Sequence, residues 1–464
     1  MTETSFTPEQ ERQARKAAFG SFAGAVIDWY DFILYGLIAA LVFNTAFFPD
    51  VSPAIGTLAA FATFGVGFFF RPLGGIVFGH FGDRLGRKRM LVITMLVMGL
   101  ASTGIGLLPT FDSIGWWAPA MLVVLRAIQG FAVGGEWGGA ALMAVESAPP
   151  KKKAFYSSGV QVGYSVGLLI ATGSVAILSA TLSDEDFNQW GWRIPFIASI
   201  ILVAIGLWIR SSVNETAEFT EKVVNSDVQK QRKIPLLEAL KAHPTAFLKI
   251  IGLRFAELFI GYIVTAFALS YATNHTEISR GFMLDIILVV GALGIVTIPT
   301  FAYLSDRYGR KRIYVFGSVV GAVCAAPFFM AMDNDSLVGT AILAVVLFNI
   351  GHDSVVSAQQ PLFTEMFGAE YRYSGAGVGY QVASAIAGGL TPFIAALLVG
   401  INDGGWYLVA AYLGIGCAVS AVIAASISHG DADSSTAALD EFESERPGTD
   451  AQGLHDDAIG SRSV

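Results

Sequence analysis

Asp28 and Asp31 stand three residues apart in GAVIDWYDFILYG (24–36), a stretch otherwise apolar or aromatic. On a helix that spacing puts both carboxylates on one face, with Tyr35 one turn further along. Isolated charge in greasy surroundings recurs down the chain. Arg71 lies in FRPLGG (70–75), and Arg126, Gln129 and Glu136 fall within one broad stripe of LRAIQGFAVGGEWGGA (125–140). Arg254 and Glu257 are again three apart, and Asn349, His352 and Asp353 sit together in another apolar run. A carboxylate shut away from water can take up a proton, and a guanidinium can hold an anion through two parallel bonds. An anion that competes for the guanidinium then alters the proton affinity of a neighbouring acid, and this linkage works in both directions.

These residue types sort into roles. Asp31, Glu136 and Glu257 lead as proton acceptors, with Asp28, His352 and Asp353 behind them. Arg126 and Arg71 are the candidates to hold an anion. Gln129, Tyr35, Gln161, Tyr164, Asn349, Gln359 and Tyr380, joined by Ser165 and Gln381, offer neutral groups that can read the hydroxyls of a ligand. Internal pairing that only ties helices together is the competing reading; it suits Arg254 with Glu257 best, and extends to Arg71 and to His352 as a satisfied core histidine. No HExxH, metal-ligand spacing, GxSxG or phosphate-binding glycine loop is present, so the chain is read as no enzyme, with no cofactor, metal or nucleic-acid partner.

The elements that carry these charges follow from composition. Of 464 residues, 54% are hydrophobic and only 14% charged, about half the charge of an ordinary soluble protein. Mean hydropathy is +0.58. Runs such as MLVITMLVMGLASTGIGLL (90–108) are long enough to cross a bilayer. Only helices and closed barrels satisfy their backbone groups in lipid, and the apolar segments predict an all-α membrane protein with twelve transmembrane helices. Lys and Arg collect in alternate loops: Arg12, Arg15 and Lys16; Arg84 to Arg89; Lys151 to Lys153; a long segment holding Arg232 and Lys233; and Arg307 to Arg312. The other loops hold little beyond Arg193 and Arg280, which places both termini in the cytoplasm.

The long hydrophilic interruption divides the chain into a leader (1–17), a six-helix bundle (18–210), a cytoplasmic linker (211–244), a second six-helix bundle (245–428) and an acidic tail (429–464). From Gly430 onward nine acids face Arg446 and Arg462, so most of the net charge of -8 belongs to a segment that reads as disordered. The leader carries no cleavage-site pattern and is not read as a removable signal. Cys324 and Cys417 sit in apolar runs and read as packing residues.

GHFGDRLGRKRM (79–90) and AYLSDRYGRKRI (302–313) place nearly the same charged clasp after the second and the eighth apolar run. The chain is therefore a duplicated six-helix unit. The clasp resembles the loop signature of the major facilitator superfamily, with Ala302 replacing the leading glycine of the second copy. Further stretches, among them WGWRIPF (190–196) and EMFGAEYRYSGAGVGYQ (365–381), resemble the metabolite:proton symporter family within it. That resemblance implies two pseudo-symmetric bundles around a central cavity that opens alternately to either side. Asp83, Arg84, Arg87, Asp306, Arg307 and Arg310 then become gating residues, able to pair with helix ends and with Glu146 and Glu365 of the opposite bundle.

The resemblance further implies proton-driven import of a small hydroxylated organic acid, shikimate foremost, across the bacterial cytoplasmic membrane by a lipid-embedded monomer. Citrate, 2-oxoglutarate, a hydroxybenzoate or a betaine remain alternatives. A proton-antiport exporter is less favoured, because the fifth run has Gly159, Gly163 and Gly167 but lacks the proline of the exporter signature.

Overall fold

Long apolar segments leave no backbone group unpaired only if they coil, and every regular element among the described residues is a helix. The computed structural model describes residues 8–85, 87–134, 153–211, 244–366 and 379–427. In chain order the principal helices are α1 (Pro8–Ile38, continuing through Ala39–Phe43 and Asn44–Phe47), α2 (Pro53–Leu85), α3 (Arg87–Leu107), α4 (Trp117–Gly134), α5 (Lys153–Thr181) and α6 (Arg193–Ser211). There follow α7 (Pro244–Tyr262, continuing through Ile263–Phe267 and Ala268–His275), α8 (Arg280–Tyr308), α9 (Arg310–Asp333), α10 (Leu337–Val345, Val346–His352 and Asp353–Glu365), α11 (Gly379–Gly400) and α12 (Tyr407–Ser426).

Ten of these are long and apolar enough to cross a membrane, and an eleventh arises if Asp184–Gly191 and Arg193–Trp208, bent by 47°, form one span. Val92–Leu107 within α3 is apolar but shorter. Part of the charged leader is helical, since α1 starts at Pro8 with good helix formers in EQERQARKAA. The linker from 212 to 243 and the acidic tail from 428 lie outside the described residues.

Helix pairing in the first half repeats in the second. α1 packs on α5, α2 on α4 and α3 on α6; correspondingly α7 packs on α11, α8 on α10 and α9 on α12. The halves meet through α5 against α8 and α2 against α11. Close approach depends on glycine. A Cβ on Gly130 would lie 1.8 Å from the Gly67 carbonyl oxygen, and one on Gly74 1.8 Å from that of Phe131, so α2 and α4 touch backbone to backbone. At the α8–α9 corner Gly309 has φ of +101°, a conformation that other residues adopt only with strain.

Several candidate side chains sit at π turns, which apolar periodicity does not reveal. Val346–His352 carries Asn349 and His352, Ile263–Phe267 follows directly on Tyr262, and Ser384 opens the turn Ser384–Gly388. The inserted residue turns the following face by roughly 100°, so the helix changes what it aims at the interior.

Gly130→Ala is expected to destabilise the detergent-solubilised protein by about 1–3 kcal/mol, because a Cβ forces α2 and α4 apart. Gly281→Ala, whose Cβ would meet nothing within 4 Å, serves as the neutral control. Thermal unfolding of the two variants checks both.

Candidate functional site

Arg126 of α4 is fully buried and Arg71 of α2 nearly so. Their guanidinium carbons lie 4.1 Å and 3.8 Å from the centre of the same ring, that of Phe32 on α1. Arg126 also stacks on Tyr35 at 4.1 Å, and Arg71 on Phe68 at 4.2 Å. Such cation–π contacts contribute about 2 kcal/mol each when desolvated, well short of the cost of burying a guanidinium. Arg126 donates through Nη1 to Gln129 Oε1, yet its Nε and Nη2 and the Nε of Arg71 have no hydrogen-bond partner. These are buried cationic donors with unmet bonds, and an anionic oxygen fits them. Tyr35 spends its hydroxyl on Thr63 Oγ1 at 2.7 Å, so the aromatic face is what it turns to Arg126.

Gln129 passes the contact onward, donating through Nε2 to Ser102 Oγ at 2.7 Å. Ser102 spends its own proton on the Met98 carbonyl at 3.0 Å. Asp31, fully buried on α1, accepts from Ser199 Oγ of α6 at 2.9 Å through Oδ1, while its Oδ2 has no hydrogen-bond partner. A proton can reside at that oxygen. Arg126, Gln129 and Ser102 thus form one hydrogen-bonded chain, and Arg126 and Asp31 lie within electrostatic reach of each other. Asp28 is partly buried on the same helix, within electrostatic reach of Arg71.

The second half is arranged differently. Arg254 and Glu257 form a bidentate pair, Nε to Oε2 and Nη2 to Oε1, both 2.9 Å. Gln359 Nε2 adds a third bond to Glu257 Oε2 at 2.8 Å. Arg254 further donates to the Tyr380 carbonyl and Ser384 Oγ, and its guanidinium carbon lies 3.3 Å from the centre of the Tyr380 ring. This is a closed ionic cluster tying α7 to α10 and α11. Asp353 is enclosed as well, accepting from Asn349 Nδ2 at 2.9 Å and from Thr297 Oγ1, with His352 Nδ1 at 3.0 Å. Asn349 also donates to the Val290 carbonyl, so its amide is committed to α8.

Between the halves lies a narrow cavity whose wall includes Gln161 and Tyr164 of α5, Glu257 and Tyr262 of α7, and His352 of α10. Trp29 closes one side, edge-on to Tyr164 at 4.7 Å. Gln161 Nε2 and the Tyr262 hydroxyl have no hydrogen-bond partner. Trp29, Ser102, Ser199 and Tyr262 were not singled out by sequence. Serines and aromatics are common in apolar helices, and the only available signal was a hydroxyl placed at mid-span in FIGYIVTAF.

The sequence matches the Major Facilitator Superfamily over residues 21–392 and again over 258–447. The chain belongs to the major facilitator superfamily. It is 62% identical to the shikimate transporter of Escherichia coli K12 over 412 residues, 89% of this chain and 94% of that one. It is 38% identical to the inner membrane metabolite transport protein YhjE of the same organism, covering 88% and 93%. A proline/betaine transporter of Salmonella typhimurium is 33% identical, covering 83% and 78%. Within the superfamily the chain falls in the metabolite:proton symporter branch and is a transporter rather than an enzyme. A solved D-xylose-proton symporter shares the fold, with a TM-score of 0.68 at 17% identity, covering 88% of this chain and 96% of that one.

The superfamily's second signature loop reaches across the halves. Asp306 of α8 accepts from the backbone amides of Ala154 and Phe155 through Oδ1 and Oδ2, at 3.2 and 3.0 Å. A carboxylate from one half therefore caps the N-terminus of α5 in the other, where the helix dipole favours negative charge. Arg310 steadies it at 3.7 Å, whereas Arg307 is exposed and lies over its neighbour Tyr308. At the far end of the same antiparallel pair, Arg280 bridges to Asp184. The side chains of Asp83, Arg84, Arg87 and Glu365, and the whole of Glu136 and Glu146, lie outside the described residues.

Glu257→Gln is expected to lower stability by about 3–5 kcal/mol by stranding Arg254, and Arg254→Gln in the same chain to recover much of the loss. A double-mutant cycle in thermal unfolding measures it. Asp306→Ala removes two charge-assisted bonds and is expected to shift the closed–open balance at that end at least tenfold towards open. Distances between spin labels on the adjoining ends of α5 and α8 report the shift.

Proposed function

We propose that this protein is a proton-coupled importer of a small hydroxylated carboxylate, shikimate, working by alternating access. The single observation that carries the substrate is the 62% identity held over 89% of the chain to the shikimate transporter of Escherichia coli K12. The unmet donors of Arg126 and Arg71 supply the matching chemistry, since they suit a carboxylate and leave a neutral sugar underserved. In this reading α1–α6 and α7–α12 are two six-helix bundles of twelve spans, with α3 and the bent α6 segment among them. Both termini face the cytoplasm, and the protein works as a monomer in the bacterial inner membrane.

Asp31 carries the proton in preference to Glu257, because its Oδ2 is unbonded while both Glu257 oxygens are taken. A carboxylate on Arg126 offsets the positive charge that faces Asp31 and so favours the protonated acid. Proton and solute then bind together, each raising the affinity for the other. A monoanion entering with one proton moves no net charge and is driven by the pH difference alone. A second proton adds about 2.3 kcal/mol per 100 mV of membrane potential. The Asp306 cap on α5 serves as the latch of one gate.

Reconstituted vesicles given an outward-acid pH step are expected to accumulate labelled shikimate above equilibrium and to lose at least tenfold of that accumulation in Arg126→Ala. Accumulation without a pH requirement, or intact in Arg126→Ala, sinks the reading. Citrate, 2-oxoglutarate, hydroxybenzoate and betaine as competitors discriminate the substrate.

A further inference from the structure

Tyr262 ends the regular part of α7, immediately before the π turn Ile263–Phe267. It belongs to the second half, yet its ring stands edge-on to Phe64 and Phe68 of α2, with centroids 5.4 and 5.5 Å apart. On the other side Gly388 of α11 leaves just enough room, since a Cβ there would lie 3.1 Å from Tyr262 Cε2. The ring is therefore clamped by both halves, and rotation about its own axis leaves the hydroxyl in place. Tyr262 lines the cavity between the halves, and its hydroxyl forms no hydrogen bond in a residue 7% exposed. A buried tyrosine normally finds a partner for its O–H, so the unmet bond needs an explanation.

Phe68 supplies one. The same ring that supports Tyr262 carries the Arg71 guanidinium, 4.2 Å from its centre. Arg71 and the Tyr262 hydroxyl are within electrostatic reach of each other. Each offers a donor without an acceptor, one from the first half and one from the second. We infer that Tyr262 is a binding residue for the transported acid, its O–H donating to the carboxylate that Arg71 and Arg126 hold between them. One anion thereby ties α2 to α7. Binding and closure of the halves become the same event, with the aromatic clamp holding the hydroxyl ready in advance. This rests on the proposed function, because it requires an anionic solute in the central cavity.

Tyr262→Phe keeps the ring, its contacts with Phe64 and Phe68, and its fit beside Gly388, and removes only the donor. In proteoliposomes the half-saturating concentration of shikimate is expected to rise about ten- to a hundredfold, as for a lost hydrogen bond to a charged group. The thermal transition of the purified variant should stay that of the wild type. Shikimate methyl ester, which lacks the anionic carboxylate, provides the readout that a structural role would not move. In the wild type it should compete far more weakly than the acid, and in Tyr262→Phe that gap should shrink by the factor lost for the acid. An unchanged half-saturating concentration overturns the inference, and so does an equal loss for acid and ester. If the wild-type protein itself fails to accumulate shikimate, the proposed function falls and this inference with it; failure of the variant test alone leaves the proposed function standing.

Discussion

Holding a guanidinium away from water is the constraint around which this molecule is organised. Arg71, Arg126 and Arg254 all lie in helices whose other residues are overwhelmingly apolar, and each must be compensated by what surrounds it. The second half does this with opposite charge, closing Arg254 onto Glu257 with Gln359, Ser384 and a backbone carbonyl. The first half does it with aromatic faces around Phe32 and leaves cationic N–H groups unbonded. Among the described residues Arg254 is matched by opposite charge while Arg71 and Arg126 keep unmet donors, and a repeated arrangement of helices therefore carries an asymmetric chemistry.

The scaffold serves that asymmetry through contacts that admit little adjustment. Gly67, Gly74, Gly130 and Gly134 bring α2 and α4 together at the level of the backbone, which brings Arg71 and Arg126 to one ring, that of Phe32. A π turn follows Tyr262 in α7, another ends at His352 in α10 and a third opens at Ser384 in α11. Between the halves, α5 and α8 touch along their length and are pinned at both ends, by Asp306 on the amides of Ala154 and Phe155 and by Arg280 on Asp184. A contact surface fastened by a few polar links over small residues can part and re-form without rebuilding either core. Among exposed pairs each link is worth at most about 1 kcal/mol, so the helix cap, a partly buried carboxylate on two amides, is the stronger of the two.

The fold recurs in a xylose symporter at 17% identity, and it is therefore set by something looser than individual residues: apolar runs, short connections and charged loops at repeated places. Within the first half a buried guanidinium and a buried acid, Arg126 and Asp31, lie within electrostatic reach of each other.

The sequence by itself determined the class of protein and the sites of several buried charges, because each is written in local composition: apolar run length, and acids or arginines where solvent does not reach. The spacing of Arg254 and Glu257 left their pairing open beside a proton-accepting role for Glu257, since residues three apart on a helix are neighbours, and the structure shows the pair. Which charges would be left unsatisfied was decided only in three dimensions. Glu257 and Asp31 look alike in sequence, yet Gln359, about a hundred residues away, occupies the one, and nothing bonds Oδ2 of the other. Tyr262, Ser102 and Ser199 were invisible as site residues for the same reason. A hydroxyl in an apolar helix acquires meaning only from its neighbours across the interface, and those neighbours are set by glycine contacts and π turns that helical periodicity does not encode.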